Sequence, residues 1–169
     1  MKKQIIGLLL AIITIPGIAV EKSQIMIVCS FSDYASIASE IAKGYNSSIP
    51  VKEMHSSVMY SAGSMESTVG DLYKWNKSLY KNKLLSKDSI NKSFKPYINN
   101  YGYGWFIIDK ENAKIMGHTG KTYGFASLIY RDEYNKRTII ILSNEAATDT
   151  TKMNNDIISF LNKRIYSGE

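Results

Sequence analysis

Four short patterns in the sequence carry side chains suited to proton transfer or nucleophilic chemistry. His118-Thr119-Gly120 contains an imidazole, a group that takes up and releases protons near neutral pH. Ser78-Leu79-Tyr80-Lys81 and Ser89-Ile90-Asn91-Lys92 each set a hydroxyl three residues before an amine, and Tyr97-Ile98-Asn99 adds a phenol. Patterns with only two fixed residues recur easily in a chain rich in Ser and Lys. An isolated His-Thr-Gly also fits the end of a strand with only a structural role. The surrounding secondary-structure elements must therefore decide whether each pattern is catalytic or structural.

Helical spacing of apolar residues predicts three helices around these patterns. One begins near Ser67, where Thr68 and Asp71 can cap the free amides of its first turn. A second begins after Ser86, with its apolar side chains four residues apart, and a final helix covers residues 151–166. A further helix is predicted for residues 32–43.

From residue 101 onward the apolar pattern changes to that of β-strands. Strands are predicted at residues 101–109, 114–119, 124–131 and 137–143, and an earlier one at 24–31. The segment 138–142 is apolar on both faces, which predicts a central strand covered on two sides. This order of elements predicts an α+β fold, an antiparallel sheet of about four to five strands with helices packed on it.

Length and composition bound the class of protein. The 169 residues correspond to one domain, and 44% apolar with 21% charged residues is typical of a globular chain. These values exclude a large multidomain assembly and a disordered chain. The single cysteine, Cys29, excludes an internal disulfide framework and a cysteine-based zinc site, and neither metal nor cofactor is expected.

The formal net charge of +6 is concentrated in residues 74–95, which hold seven Lys and one acidic residue. Two interpretations stand: a patch that binds anionic lipid or cell-wall polymer, and a solvated Lys-rich helix surface. Nucleic acid is not an expected partner, because arginine, the residue that most often reads or stacks on bases, occurs only three times.

The N-terminus has the pattern of an export signal. Lys2 and Lys3 precede an uncharged, mainly apolar run over residues 4–20, interrupted late by Pro16-Gly17. The alternatives are a retained membrane anchor and a buried core element. The predicted organisation is therefore a signal peptide or membrane anchor at 1–20 and one domain at 21–169. The predicted location is outside a bacterial cell, or at its membrane with residues 1–20 as the only anchor.

From residue 42 to the end, several motifs follow one another along the chain. They are Ala42-Lys43-Gly44-Tyr45, residues 60–75, Leu84-Leu85-Ser86, Tyr101-Gly102-Tyr103-Gly104-Trp105, Gly117-His118-Thr119-Gly120, Gly124-Phe125 and Leu142-Ser143-Asn144. In this order and spacing they resemble the C-terminal half of the serine β-lactamase-like family, which includes class C β-lactamases, D-alanyl-D-alanine carboxypeptidases and related esterases.

The resemblance implies roles for five residues. His118, Gly120 and Lys121 would form a catalytic cleft wall, in which the backbone N–H of Lys121 is half of an oxyanion hole. Thr119 and Tyr123 would contact the substrate. The expected partner is a peptidoglycan-type peptide or a β-lactam.

The family's Ser-x-x-Lys and Tyr-x-Asn motifs precede the matched segment, and residues 20–45 contain neither. The three formal matches lie downstream, in stretches that resemble ordinary helix and connector regions. The resemblance therefore predicts a truncated, catalytically impaired member with a partial β-lactamase/transpeptidase-like fold, whose parent hydrolyses β-lactams, D-alanyl peptides or small esters through an acyl-enzyme. The alternatives are a non-catalytic cell-wall or protein binding module, and one half of a complemented enzyme.

Loss of the N-terminal strands would also leave the predicted strand at 137–143 as an exposed edge that favours self-association. Alternatively, the segment 24–31 pairs with that edge in their place.

Overall fold

The structure, a computed structural model, describes residues 26–30, 44–52, 56–63, 65–81 and 84–167. The predicted signal segment at 1–20 and the predicted helix at 32–43 lie outside these residues. Among the residues described, no helix is both long and apolar enough to cross a membrane.

Seven strands form two sheets in the described part of the chain. In chain order they are β1 (Met26–Ser30), β2 (Tyr45–Asn46), β3 (Ile49–Pro50), β4 (Phe106–Lys110), β5 (Ala113–Thr122), β6 (Phe125–Asp132) and β7 (Arg137–Ser143). The main sheet has the order β1-β7-β6-β5-β4, and β2 and β3 form a separate hairpin. Strands β4 to β7 pair antiparallel through short connections, as the turn residues between them predict.

Strand β7 lies in the interior of the sheet, between β6 and β1. Ile139, Ile140 and Ile141 are completely buried, which confirms the prediction of a central strand from its unbroken apolar run. Strand β1 pairs parallel to β7 with Met26 opposite Thr138 and Ser30 opposite Leu142, so the pairing predicted for the segment 24–31 is confirmed. Because β7 is paired on both sides along this register, the predicted exposure of its edge is wrong, whereas self-association of the protein stays a prediction.

In the described part of the chain, three α-helices cover the two faces of the sheet. They are α1 (Val69–Tyr80), α2 (Lys87–Ser93) and α3 (Thr150–Ser167). Two predicted caps are confirmed: the Thr68 side chain accepts from the backbone N–H of Asp71, and the Ser86 side chain accepts from that of Ser89. These bonds satisfy amides that the first helical turn leaves without a partner. The Asp71 carboxylate, also predicted to cap a free amide, instead accepts from the Thr68 hydroxyl and the Lys74 ammonium.

Two apolar clusters hold the helices on the sheet. On one face, α3 contributes Ile157 and Leu161, which pack against Ile139, Ile141 and Leu128. On the other face, α1 and α2 pack against β4 and β5 through Leu79, Ile90, Phe94, Trp105, Ile107 and Met116. The α+β architecture predicted from the sequence is therefore confirmed.

Two predicted strand boundaries are wrong. Residues 101–105 form a loop that contains Gly104 at a φ of +79°, and β4 begins only at Phe106. Strand β5 runs three residues beyond its predicted end, so His118-Thr119-Gly120 lies inside a strand and not at its end. The strand continues because residues 118–122 pair with β6 up to the tight turn at Tyr123-Gly124.

Candidate active site

The β5–β6 hairpin determines which backbone groups of the predicted site are free. The hairpin closes on the pair Thr122–Phe125, and His118 and Gly120 face Ile129 and Ser127 across the strands. Hydrogen-bonded and non-hydrogen-bonded residue pairs alternate along antiparallel strands. With the backbone N–H groups of His118, Gly120 and Thr122 directed to β6, those of the residues between them point to the opposite edge of β5. The residues between them are Thr119 and Lys121.

The opposite edge of β5 is open beside these amides. Strand β4 pairs with β5 only from Ala113 to Gly117, so within the described residues nothing pairs with the edge from His118 to Thr122. The N–H of Lys121 is therefore available on the edge where the resemblance expects an oxyanion donor. This edge, from His118 to Thr122, is called the β5 edge below.

The His118 imidazole is held by two hydrogen bonds. Its Nδ1 lies 2.6 Å from the carbonyl oxygen of Thr119, and its Nε2 lies 2.9 Å from the Tyr101 hydroxyl. A carbonyl oxygen only accepts, so Nδ1 carries a proton, and in the neutral ring Nε2 accepts from Tyr101. The ring also stacks on Phe106 with 5.4 Å between centroids. His118 is thus an exposed imidazole of defined tautomer, paired with a phenol.

Tyr101 is a functional candidate that is not among the site residues predicted from the sequence. It lies in the loop before β4, within the segment 101–109 that the sequence predicts to be a strand. Its contact with His118 joins residues 17 apart in the chain, so no local spacing indicates it. The signal available in the sequence was the aromatic-glycine pattern of residues 101–105.

Gly120 lies beside Ser127 of the neighbouring strand β6. A Cβ at this position would overlap the Ser127 hydroxyl oxygen, which would have to rotate away. Thr119 and Lys121 are exposed, and Tyr123 in the turn is about half exposed, at 51%. The five predicted site residues therefore lie together along the end of β5 and its turn.

The β2–β3 hairpin adjoins this turn. The backbone N–H of Tyr45 donates to the carbonyl of Asn144 at 2.8 Å and lies 3.2 Å from that of Gly124. The Glu145 carboxylate accepts from the backbone N–H groups of Ala147, Ser48 and Ser47. These bonds, and the charge of Lys121, hold the pKa of Glu145 below its usual value of 4.5.

Acidification should loosen the turn of the β2–β3 hairpin at Ser47 and Ser48, whose backbone N–H groups donate to Glu145. A carboxyl group whose pKa is lower in the folded state stabilises that state fully above its unfolded pKa, and this contribution is lost as the pH falls through the lower folded value. We therefore expect the amide protection of Ser47 and Ser48 to be constant from pH 7 to 5 and to fall below about pH 4.5. Hydrogen exchange, corrected for the intrinsic rates, measures this change.

In Glu145→Gln the protection should be low at every pH, while Glu111→Gln, in the exposed turn between β4 and β5, should retain the wild-type profile. Equal protection in wild type and Glu145→Gln at pH 7 would contradict the assignment.

The two Ser-x-x-Lys patterns do not join the β5 edge. The Ser78 hydroxyl donates to the carbonyl of Trp75 in its own helix at 2.6 Å. Ser89 bonds to Ser86 at the start of α2, and Lys92 pairs with Asp88. Within the described residues, no serine hydroxyl is hydrogen bonded to His118.

The Tyr97-Ile98-Asn99 pattern lies in a tight turn before the loop that carries Tyr101. The Tyr97 ring packs against Tyr103 with 5.5 Å between centroids, and Asn99 adopts a φ of +54°. Neither side chain reaches His118 through a hydrogen bond in this part of the structure. Across all residues that the structure describes, no group of three His, Cys, Asp or Glu side chains is placed to hold a metal ion.

Chemically, the β5 edge can hold an extended substrate but does not itself supply a nucleophile from the residues described. The N–H of Lys121 can donate to a carbonyl oxygen, the Lys121 ammonium can attract a carboxylate, and His118 with Tyr101 can bind or transfer a proton.

The fold of the chain is similar to that of a solved amidase structure. A solved structure of D-amino acid amidase from Ochrobactrum anthropi SV3, in complex with D-phenylalanine, superposes with a TM-score of 0.55 over 72% of this chain and 43% of the amidase, at 21% sequence identity. The described part of the chain therefore has a partial β-lactamase/transpeptidase-like fold, as predicted.

The sequence itself aligns with a penicillin-binding protein. Penicillin-binding protein 4* of Bacillus subtilis (strain 168) is 31% identical over 90 residues, which are 49% of this chain and 20% of that protein. The chain is a partial homologue that spans about a fifth of its relative's length. No protein-family model matches it.

Proposed function

We propose that the chain belongs to the serine hydrolases of the β-lactamase and penicillin-binding family. Its β5 edge binds the acyl part of a D-alanyl peptide or β-lactam. This chain by itself is catalytically impaired. The observation that carries the proposal is the open β5 edge, where the free amide of Lys121 lies three residues from an oriented imidazole. The homology to a penicillin-binding protein supports the same class of substrate.

The residue roles follow from the geometry of the edge. The N–H of Lys121 would donate to the substrate carbonyl, and the ammonium of Lys121 would attract a terminal carboxylate. His118, kept in one tautomer by Thr119 and Tyr101, would contact the substrate's polar groups. Thr119 and Tyr123 would line the edge on the side of the solvent.

The impairment rests on the surroundings of His118. An oxyanion donor and a proton-transfer group act as a unit with a nucleophile, and little rate acceleration remains when the nucleophile is missing. The hydroxyls of both Ser-x-x-Lys patterns are bonded within their own helices. We therefore propose that this chain alone is catalytically impaired and that it is located at the bacterial cell envelope, where such substrates occur.

A non-catalytic binding module is the second candidate, because an open strand edge binds extended peptides through backbone hydrogen bonds without needing a nucleophile. Both candidates use the same edge. They differ in whether a covalent acyl group ever forms.

A fluorescent penicillin should not label the purified chain covalently, while an active penicillin-binding enzyme treated in parallel should give a labelled band. The physical reason is that no activated hydroxyl lies beside His118 among the described residues. Denaturing electrophoresis measures the label. A labelled band that disappears in Ser78→Ala or Ser89→Ala would contradict the proposed impairment.

The same protein should be retained on peptidoglycan fragments if the edge binds peptide. We expect His118→Ala to reduce retention about 10-fold, as for loss of a hydrogen bond to a charged group, and Tyr134→Ala, an exposed residue in the β6–β7 turn, to leave it unchanged. Absence of retention by the wild type would reject both the substrate proposal and the binding-module alternative.

A further inference from the structure

A cavity lies away from the β5 edge, between α2, the end of α1 and the strands β4, β5 and β6. Its volume is about 420 Å³, which is within the range of small-molecule sites. Leu79, Ile90 and Phe94 give it an apolar base, and they belong to the core that joins the helices to the sheet. This cavity is called the α2 pocket below.

The α2 pocket is rich in positive charge. Lys87, Lys95 and Lys114 line it, and within the described residues none of them lies within 4 Å of a carboxylate oxygen. Two acidic side chains, Asp109 and Glu133, also contribute to the wall. With Arg131 the pocket holds four cationic and two acidic groups, so its walls favour an anion.

Arg131 forms part of the wall and is incompletely satisfied. Its side chain is fully buried, and its guanidinium carbon lies 4.4 Å from the ring centroid of Tyr80 and 4.8 Å from that of Phe94. Nη2 donates to Glu133 at 3.3 Å, but Nε and Nη1 have no hydrogen-bond partner. Buried guanidinium donors without a partner are costly, so the site is built to gain from an added acceptor.

The aromatic rings orient this guanidinium. Stacking on Tyr80 and Phe94 fixes its plane through cation–π contacts, so that a ligand does not have to order a flexible chain. Arginine presents several donors in a fixed arrangement that suits carboxylate and phosphate oxygens. The apolar base provides contact area for a hydrocarbon portion of the same ligand.

We propose that the α2 pocket binds a small organic anion that carries an apolar or aromatic body and a carboxylate or phosphate head group. The head group is bound by Arg131 and the lysines at the wall, and the body lies against Ile90 and Phe94. This site is independent of the proposed function. Lys114 precedes His118 by four residues in β5, which places the two sites about 13 Å apart along the strand.

Phenyl phosphate and phenylacetate are suitable probes for the two head groups. Titration of the ¹⁵N-labelled full chain should shift the amide signals of residues in α2 and around Arg131, and should leave the signals of the β5 edge in place. Benzyl alcohol, which lacks the charge, and inorganic phosphate, which lacks the body, should each bind at least about 10-fold more weakly than phenyl phosphate. Equal binding of either control would overturn the assigned ligand class.

Matched charge variants distinguish binding of phenyl phosphate in the pocket from its general attraction to exposed lysines. We expect Lys95→Gln/Lys114→Gln to weaken phenyl phosphate binding about 10-fold or more. Lys74→Gln/Lys77→Gln removes the same charge from the exposed side of α1, outside the pocket, and should change the affinity less than about 2-fold. An equal loss in both double variants would overturn the proposal.

Arg131→Met removes the donors while retaining much of the side-chain length, and it should abolish binding if the variant keeps the wild-type fold. Because Arg131 is in the core, its replacement can prevent folding. If Arg131→Met does not fold, the lysine variants decide the outcome. Absence of amide shifts at the α2 pocket in the wild type would reject the site. That result would leave the proposed function unaffected, since no lining residue of the pocket belongs to the β5 edge.

Discussion

Ile139→Ala should lower the free energy of unfolding by about 2–5 kcal/mol. Ile139 is completely buried in the centre of β7, between Ile27 of β1 and Tyr130 of β6, and it packs in the cluster beneath α3. Truncation removes apolar contact and leaves a cavity that the paired strands on both sides cannot close. Urea denaturation followed by circular dichroism measures the change as a lower midpoint.

The matched control is Ile108→Ala, which makes the same truncation in the edge strand β4 at a side chain that is 47% exposed. Its cost should be below about 1 kcal/mol, because much less apolar surface is uncovered. Equal destabilisation by the two variants would show that β7 does not have the central position given to it.

Gly124→Ala should destabilise the protein by about 2–5 kcal/mol. Gly124 has a φ of +78°, a conformation that is costly for alanine. An added Cβ would also lie 2.5 Å from the carbonyl carbon of Gly44 and 2.5 Å from Cγ2 of Val51. The β2–β3 hairpin would have to move away from the turn, so the amide protection of Tyr45 should fall together with the thermal midpoint.

Gly104→Ala separates the cost of the positive φ from the cost of the steric overlap. Gly104 has nearly the same φ, +79°, but an added Cβ there would have no neighbour within 4 Å. This variant should therefore cost only the backbone strain of about 1–2 kcal/mol. If Gly124→Ala costs no more than Gly104→Ala, the close approach of Gly44 is not a constraint on the fold.

Most of the secondary structure could be predicted because its causes are local. Thr68 and Ser86 cap helices through bonds to residues three positions later, so the pattern and the contact are the same feature. The unbroken apolar run of β7 likewise predicts burial on both faces. The strand predicted at 101–109 was half wrong, because aromatic residues with strand-like spacing surround glycines, one of which turns the chain at a positive φ.

The candidate site was predicted only in part. Residues 118–121 and Tyr123 are close in sequence, and the resemblance identified them together. Tyr101 was missed because its bond to His118 depends on where the loop before β4 folds back. The α2 pocket was missed for the same reason, since Arg131 and Phe94 are brought together only by the packing of α2 on β6.

By itself, the sequence determined the helix starts, the order of the strands, the buried strand at 137–143 and the resemblance to penicillin-recognising hydrolases. The tertiary structure decided that β1 closes the edge of β7, that the amide of Lys121 points to an open edge, and that the hydroxyls of Ser78 and Ser89 are bonded away from it. The physical reason is the separation along the chain over which each interaction acts. Capping and periodicity act within a few residues, whereas the pairing of distant strands and the direction of a backbone amide exist only after the chain has folded.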